Sequence, residues 1–190
     1  MRPGDIPLGI YFLKKGYVRL YSIFESGEEL TLIIFKSNDF FPVAWAINND
    51  PNEYYLEAMT DAELYRAPKD DLLKFLSLSP EVFFEFTSRM LYRMSGVLKR
   101  MEYLVFGNAY QKVASMILIC ASRFGEKNGN KLTIQLSLTH KDIANLLGIT
   151  RETVSLEIKK LKEKGVVVYR GRYIIVEDIN KLQKESLLTL

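Results

Sequence analysis

The sequence predicts an α+β chain in three successive parts: an N-terminal β-roll (residues 1–78), one long helix (79–107) and a C-terminal winged helix-turn-helix (108–190). Three observations predict it. Short runs rich in aromatic and β-branched residues, punctuated by glycine and Asn/Asp turns, fill the first third. An apolar repeat at alternating spacings of three and four occupies the middle. Near the end stands "LTHKDIANLLGITRETVSLEIKKLKEKG" (138–165), a pair of helical patterns joined through a glycine turn and followed by strand, turn and strand.

The strands begin with "IYFLKKGYVRLYSI", then the turn "ESGEE", then "LTLIIF" and "SNDFF". After the turn-rich "NNDPNE", the runs "YYLEAMT" and "AELYRAP" read as two more strands, so the first part is expected to be all-β to about Pro68. "KDDLLKFLSLSP" is a short helix closing at a Ser-Pro boundary. The stretch from Pro80 to about Phe106 forms one helix roughly 40 Å long. Along it Phe84, Thr87, Leu91, Met94, Leu98, Met101 and Val105 make an a/d seam over about three heptads, while Arg89, Arg93, Lys99, Arg100 and Glu102 occupy the other side. Such a stripe could pack on its own β-domain. The helix is longer than a roll requires and the seam is narrow, widened only by Val97 and Leu104, so the expectation is a parallel homodimer.

Gly107 ends the long helix and Asn108 caps the next, "AYQKVASMILICASRFG", which stops at Gly125; "EKNGN" then turns into the strand "KLTIQL". In the quoted motif Thr139 caps the first helix with Asp142 as capping-box partner, and Ile143, Ala144, Leu146 and Leu147 form its buried face. Gly148 supplies the tight turn, Thr150 caps the second helix, and Glu152 meets its positive end. Val154, Ile158 and Leu161 must face inward, leaving Arg151, Glu152, Ser155, Leu156, Lys159 and Lys160 outward. An arginine can bond guanine O6/N7 in a bidentate manner and a glutamate can accept from cytosine N4, so Arg151, Glu152, Ser155 and Leu156 are the candidate base readers. Thr139, His140, Lys141, Thr150, Thr153 and Lys159 are candidates for phosphates of double-stranded DNA, and Arg170 and Arg172 join them from the tip of the wing "GVVVYRGRYIIVED". The competing reading is a winged helix used for protein contact, with the chain acting as a sensor of an apolar or aromatic small molecule.

Charge agrees with nucleic acid. Residues 1–106 hold 12 Lys+Arg against 15 Asp+Glu, and residues 107–190 hold 14 against 8. One cysteine, Cys120 in "MILICAS", excludes an intrachain disulfide, a four-cysteine zinc site and a self-contained iron-sulfur cluster. The single histidine, His140, has no neighbouring ligand, so neither metal nor cofactor is expected. With no apolar run near the roughly 20 residues of a membrane span and no basic-apolar leader, the chain reads as cytoplasmic and without a membrane partner. No nucleophile-base pair or Gly-rich phosphate loop appears, so the expected chemistry is binding and the protein is not expected to be an enzyme.

A roll, a long dimer helix, a hinge and a winged helix-turn-helix, in that order, resemble the Crp/Fnr family of bacterial transcription regulators over nearly the whole chain. "GIYFLKKGYVRLY" looks like that family's strand pair around a glycine turn, "NDFF" like its "GDFF" turn, and the quoted motif like its DNA-binding signature. The resemblance implies a cyclic-nucleotide-binding-like roll and a homodimer on a near-palindromic site, with RNA polymerase as a further partner of any activator. It places Arg151 and Glu152 at base edges, and Thr150, Thr153, His140, Lys141 and Arg170 near the backbone.

Four departures matter. Where members commonly carry arginine after the Ser that follows "ETV", this chain has Leu156, whose alkyl group can meet at most a thymine methyl, so the half-site should differ from the usual one. Members that bind cyclic nucleotides follow "DFF" with Gly-Glu and later place Arg-Ser or Arg-Thr on the phosphate. This chain has Pro42 and Val43 at the first place, and Asn52, Glu53 and Tyr54 around the second, so a cyclic nucleotide is not the expected effector. Where members that bind cyclic AMP offer hydroxyls to adenine, it offers Val97 and Leu98. Phe40, Phe41, Trp45, Tyr54 and Tyr55, with Val97, could line a cavity for an apolar ligand, or the rings simply fill the vacated space. The family also has a leading helix and at least two strands ahead of "MRPGDIPLGIYFL", so the roll is expected to be a shortened form or to lack its upstream segment here.

Overall fold

The computed structural model describes residues 1–129 and 131–188, which divide into two compact units, Met1–Ser95 and Gly96–Leu190. The division falls within the long helix, ahead of the Gly107–Asn108 break.

The first unit runs β1 (Ile10–Lys15), β2 (Val18–Ile23), β3 (Glu29–Phe35), β4 (Phe40–Phe41), α1 (Val43–Asn48), β5 (Tyr55–Ala58), β6 (Glu63–Ala67), α2 (Lys69–Ser77) and the first part of α3 (Pro80–Phe106). Two antiparallel three-stranded sheets, ordered β4-β1-β6 and β3-β2-β5, form the roll. The expectation of a strand pair around Gly16 is corrected here: β1 and β2 belong to different sheets, and Gly16 is the corner between them. Its φ is +93°, and a Cβ there would lie 2.3 Å from the Asp61 carbonyl oxygen, so only glycine lets the chain cross. Leu13 and Val18 on either side of the corner then both reach the core, with Phe35, Phe41 and Leu56.

An all-β first part is corrected too. "VAWAIN" forms helix α1, closed by Asn49 in the left-handed region (φ 62°). The aromatics expected to line a pocket are divided among separate contacts. Phe41 is a core residue stacked on Tyr11 and tilted against Phe35, and Tyr55 stacks on Tyr21 at 5.1 Å. Trp45 lies under Lys69, and Tyr54 is exposed.

On α3, Phe86 stacks on Phe40, and Arg93 pairs with Asp39 while lying over the Phe40 ring, so Arg93 grips the roll and is not a free surface charge. Phe84, Leu91, Met94, Leu98, Met101 and Val105 stay exposed, each more than half open to solvent. Within the first unit, therefore, Phe84, Leu91 and Met94 are not covered by the roll.

The second unit holds the end of α3, then α4 (Ala109–Phe124), β7 (Gly125–Asn128), β8 (Lys131–Ile134), α5 (His140–Leu147), α6 (Arg151–Glu163), β9 (Val167–Arg170), β10 (Tyr173–Val176) and α7 (Ile179–Glu185). "EKN", expected as turn, is strand β7: Gly125 to Asn128 pair with Ile134 to Lys131 in a sheet ordered β7-β8-β10-β9. Gly129 (φ +62°) makes the reversal, and Asn130 of the expected turn lies outside the described residues. Helix α4 is the hub. Asn108 caps it in a reciprocal box with Gln111, and Val113, Ala114, Ile117, Leu118 and Ala121 are buried. Cys120 belongs to this core, where burial pushes its thiol up to about 12 and keeps it protonated and inert. Helix α7, unforeseen from the sequence, is capped by Asp178 and anchored by fully buried Leu182. Among the described residues no helix is long and apolar enough to cross a membrane.

Candidate nucleic-acid interface

The site is assembled from local signals. At α5 the Thr139 hydroxyl accepts from the Asp142 N–H at 3.1 Å, and the Asp142 carboxylate accepts from the Thr139 N–H at 2.8 Å and its hydroxyl at 2.6 Å. This satisfies backbone donors that the first helical turn leaves open. Gly148 (φ +63°) ends α5 in the left-handed region, where a side chain would cost roughly 1–2 kcal/mol. Two residues later Thr150 caps α6, accepting from the Thr153 N–H at 3.2 Å, with the two hydroxyls 2.9 Å apart.

The rotation of α6 is set by Val154, Ile158 and Leu161, none more than 1% exposed. Burying each contributes roughly 1.5–3 kcal/mol, far more than any surface pairing could offset. Arg151, Glu152, Ser155, Leu156 and Lys159 are left in solvent as one row, with Leu156 61% exposed. Among the described residues Arg151 has no ion-pair partner, whereas Lys159 lies 3.9 Å from Glu163. Two details escaped the sequence reading. Lys160, exposed as expected, also pairs with Glu157, its Nζ 2.9 and 2.7 Å from the two carboxylate oxygens. Glu157 is itself buried, although 154, 157, 158 and 161 form the i, i+3, i+4, i+7 pattern that could have placed it inside.

His140, Lys162 and the wing meet over one ring. The His140 imidazole is edge-on to Tyr169 at 5.8 Å, and Lys162 Nζ lies 4.4 Å from the Tyr169 ring centre. Burial, then the Lys162 and Arg151 cations, hold His140 below its ordinary value of 6.5, so it is mainly neutral at pH 7. The Arg170–Tyr173 register makes the wing tip a two-residue turn with Gly171 at φ +60°. Both wing arginines are exposed; Arg172 lies 5.2 Å over Tyr173 and donates to its hydroxyl at 3.1 Å. Lys141, next to His140 in sequence, is exposed on α5.

Behind the row, Arg100 is not the solvated charge its sequence position suggested. Its guanidinium donates to the Leu146 carbonyl in the last turn of α5, next to fully buried Tyr103. Lys164 and Tyr110 both donate to Glu185, at 2.7 and 2.8 Å, tying α6 to α7 and α4. The face so fixed presents exposed cations and hydroxyls, groups that can bond phosphates, together with Arg151, Glu152 and Ser155, whose side chains carry groups that can bond base edges.

Comparison with known proteins agrees with this geometry. Residues 111–185 match the Crp-like helix-turn-helix domain, and residues 1–79 match the cyclic nucleotide-binding domain. The chain is 30% identical over 176 residues to the global nitrogen regulator of Nostoc sp. (strain PCC 7120), covering 92% of this chain and 79% of that protein. It is 24% identical over 184 residues to the CRP-like cAMP-activated global transcriptional regulator of Mycobacterium tuberculosis, covering 97% and 81%. Among solved structures, FixK2 from Bradyrhizobium japonicum superposes with a TM-score of 0.83 at 21% identity, covering 100% of this chain and 93% of that one. TTHB099 from Thermus thermophilus, a CRP-family regulator, gives 0.79 at 21% identity, covering 97% and 90%.

Proposed function

The chain belongs to the Crp/Fnr family of DNA-binding transcription regulators, and from that premise we propose that it acts as a homodimer reading a near-palindromic site without control by a cyclic nucleotide. The observation that carries this reading is the row Arg151, Glu152, Ser155 and Leu156, held outward by the buried Val154, Ile158 and Leu161. In a dimer two such rows enter successive major grooves about 34 Å apart. The exposed α3 seam supports the dimer, because an apolar stripe of that length is stable in water only when covered.

Three features of the roll argue against a cyclic nucleotide as effector. Pro42 and Val43 open helix α1 where a ribose-binding carboxylate would be needed. The Asn52 amide is spent on the Arg2 and Tyr54 carbonyls. Arg19, a half-buried cation on β2, is held by Glu29 at 2.7 Å and Glu57 at 2.6 Å.

A salt titration on mixed-sequence DNA tests the reading. Log K is expected to fall linearly with log[salt], by about 0.9 per phosphate neutralised, and saturating cyclic AMP or cyclic GMP is expected to leave the line unmoved. No binding at low salt would reject DNA recognition, and a cyclic-nucleotide-dependent shift would reject effector independence.

His140 gives the complex a pH dependence. A phosphate at His140 raises the pKa that burial and two cations depress, so DNA binding takes up a proton and tightens as the pH falls through and below 6.5. In the free protein the sign is opposite. A histidine depressed in the fold stabilises it above the unfolded value and loses that contribution as the pH falls through the folded one. DNA titrations across this range with the wild type and His140→Gln check the linkage: the variant should lose the acid-side gain, and an unchanged slope in the variant would remove His140 from the phosphate contacts.

A further inference from the structure

We propose that Arg100 is the positioning residue through which the long helix holds the helix-turn-helix at a fixed angle, and thereby sets the separation of half-sites that the protein accepts. This rests on the homodimeric reading above.

The last turns of α3 belong to the same compact unit as the winged helix. Within it, the carbonyls of the final turn of α5 have no helical N–H to accept from. Ala144 is served by the N–H groups of the terminating turn, Gly148 and Ile149. Leu146 is served by the Arg100 guanidinium, which brings a positive charge to the negative end of that helix. Leu146 stands two residues before Gly148, the turn from which α6 departs. Arg100 therefore grips the helix-turn-helix at the point that decides where the recognition helix aims.

The face that makes this contact is distinct from the seam. At 3.6 residues per turn, Arg100, Tyr103 and Gly107 fall on one side of α3, roughly opposite Leu98, Met101 and Val105. Tyr103 is fully buried, whereas the seam residues are more than half exposed. The end of α3 thus offers one side to a second copy and the other to its own reading module.

Two attachments fix an angle where one leaves a pivot. The covalent link at Gly107–Asn108 is the first. There the Gly107 N–H bonds the Tyr103 carbonyl, and an added Cβ would lie 2.5 Å from that oxygen. Arg100 is the second, about 10 Å back along the helix, with the buried Tyr103 packed between the two. Arginine suits the position because its planar fork keeps its charge when buried and loses little freedom on bonding. Severing this bond leaves only the packing around Tyr103 to resist turning about Gly107, so each subunit still reads its half-site while the distance between the two rows is less tightly set.

The test uses the full chain on DNA carrying two copies of its half-site at centre separations stepped by single base pairs around one helical turn, and on DNA carrying one copy. Wild type is expected to favour one separation sharply. Arg100→Met is expected to flatten that profile and lower affinity at the optimum by about tenfold, with single-copy affinity nearly unchanged and Arg100→Lys intermediate. The lysine variant keeps charge and length, so it reports even if the methionine variant unfolds in a thermal melt. Wild-type profiles in both variants, or an equal loss on paired and single copies, would overturn the assignment of Arg100. A wild type with no preferred separation would instead overturn the homodimeric reading itself.

Discussion

Replacing Leu98 by glutamate is expected to leave the protein monomeric and to lower its affinity for a two-half-site operator by about 10²-fold or more. Leu91, Met94, Leu98, Met101 and Val105 are between 52 and 70% exposed, whereas the residues of either core are almost wholly buried. In a parallel pair each seam position inserts between residues of the facing helix. Glutamate at 98 would put two like charges, one from each subunit, into that apolar contact without partners, a cost of several kcal/mol. The affinity falls because the second half-site is reached through an effective concentration that only the linked dimer supplies. Sedimentation and DNA titration on the same preparation check both parts. A persistent dimer would show that the seam is elsewhere, and a monomer with intact operator affinity would show that one subunit reads alone.

The second large effect is expected from Arg151→Ala, a loss of about 1–3 kcal/mol on the specific site with relaxed preference at a single base pair of each half-site. Arg151 is the first residue of α6, exposed and without an ion-pair partner among the described residues, and the Thr150 cap fixes the backbone beneath it. Its guanidinium is therefore available at no cost of breaking another bond. Substituting a solvent-exposed residue beyond the cap leaves stability nearly unchanged, so the loss belongs to recognition. Affinities on a panel of single-base variants of the site separate the two possible roles: a uniform loss on every sequence would make Arg151 a phosphate anchor. Leu156, exposed in the same row, carries no hydrogen-bonding group, so a thymine methyl is the feature it can favour.

The helix-turn-helix was legible in the sequence because its determinants are local. Thr139 with Asp142, Gly148, and Thr150 with Thr153 each act within four residues, and the structure forms each cap and turn. The β-roll was legible as strands but not as sheets. A glycine turn reads alike whether it closes a hairpin or rounds a corner, and at Gly16 the choice is made by Asp61 and Ala62, distant in the chain. Helix α1 is six residues long, too short to show a helical period against an aromatic background. Arg100 and Arg93 looked like solvated charges because their partners, Leu146 and Asp39, lie 46 and 54 residues away. Phe41 and Tyr55 could be named as aromatic, but only the sheet pairing divides them between a core and a stacked pair.

Selection of bound sequences from a pool of random double-stranded DNA by the purified full chain tests the central claim most directly. The expected product is a near-palindrome whose half-site centres lie about 34 Å apart, one helical turn, with each half differing from the usual family half-site at the base pair facing Leu156. Enrichment of a single unpaired half-site, or no enrichment over the starting pool, would contradict it.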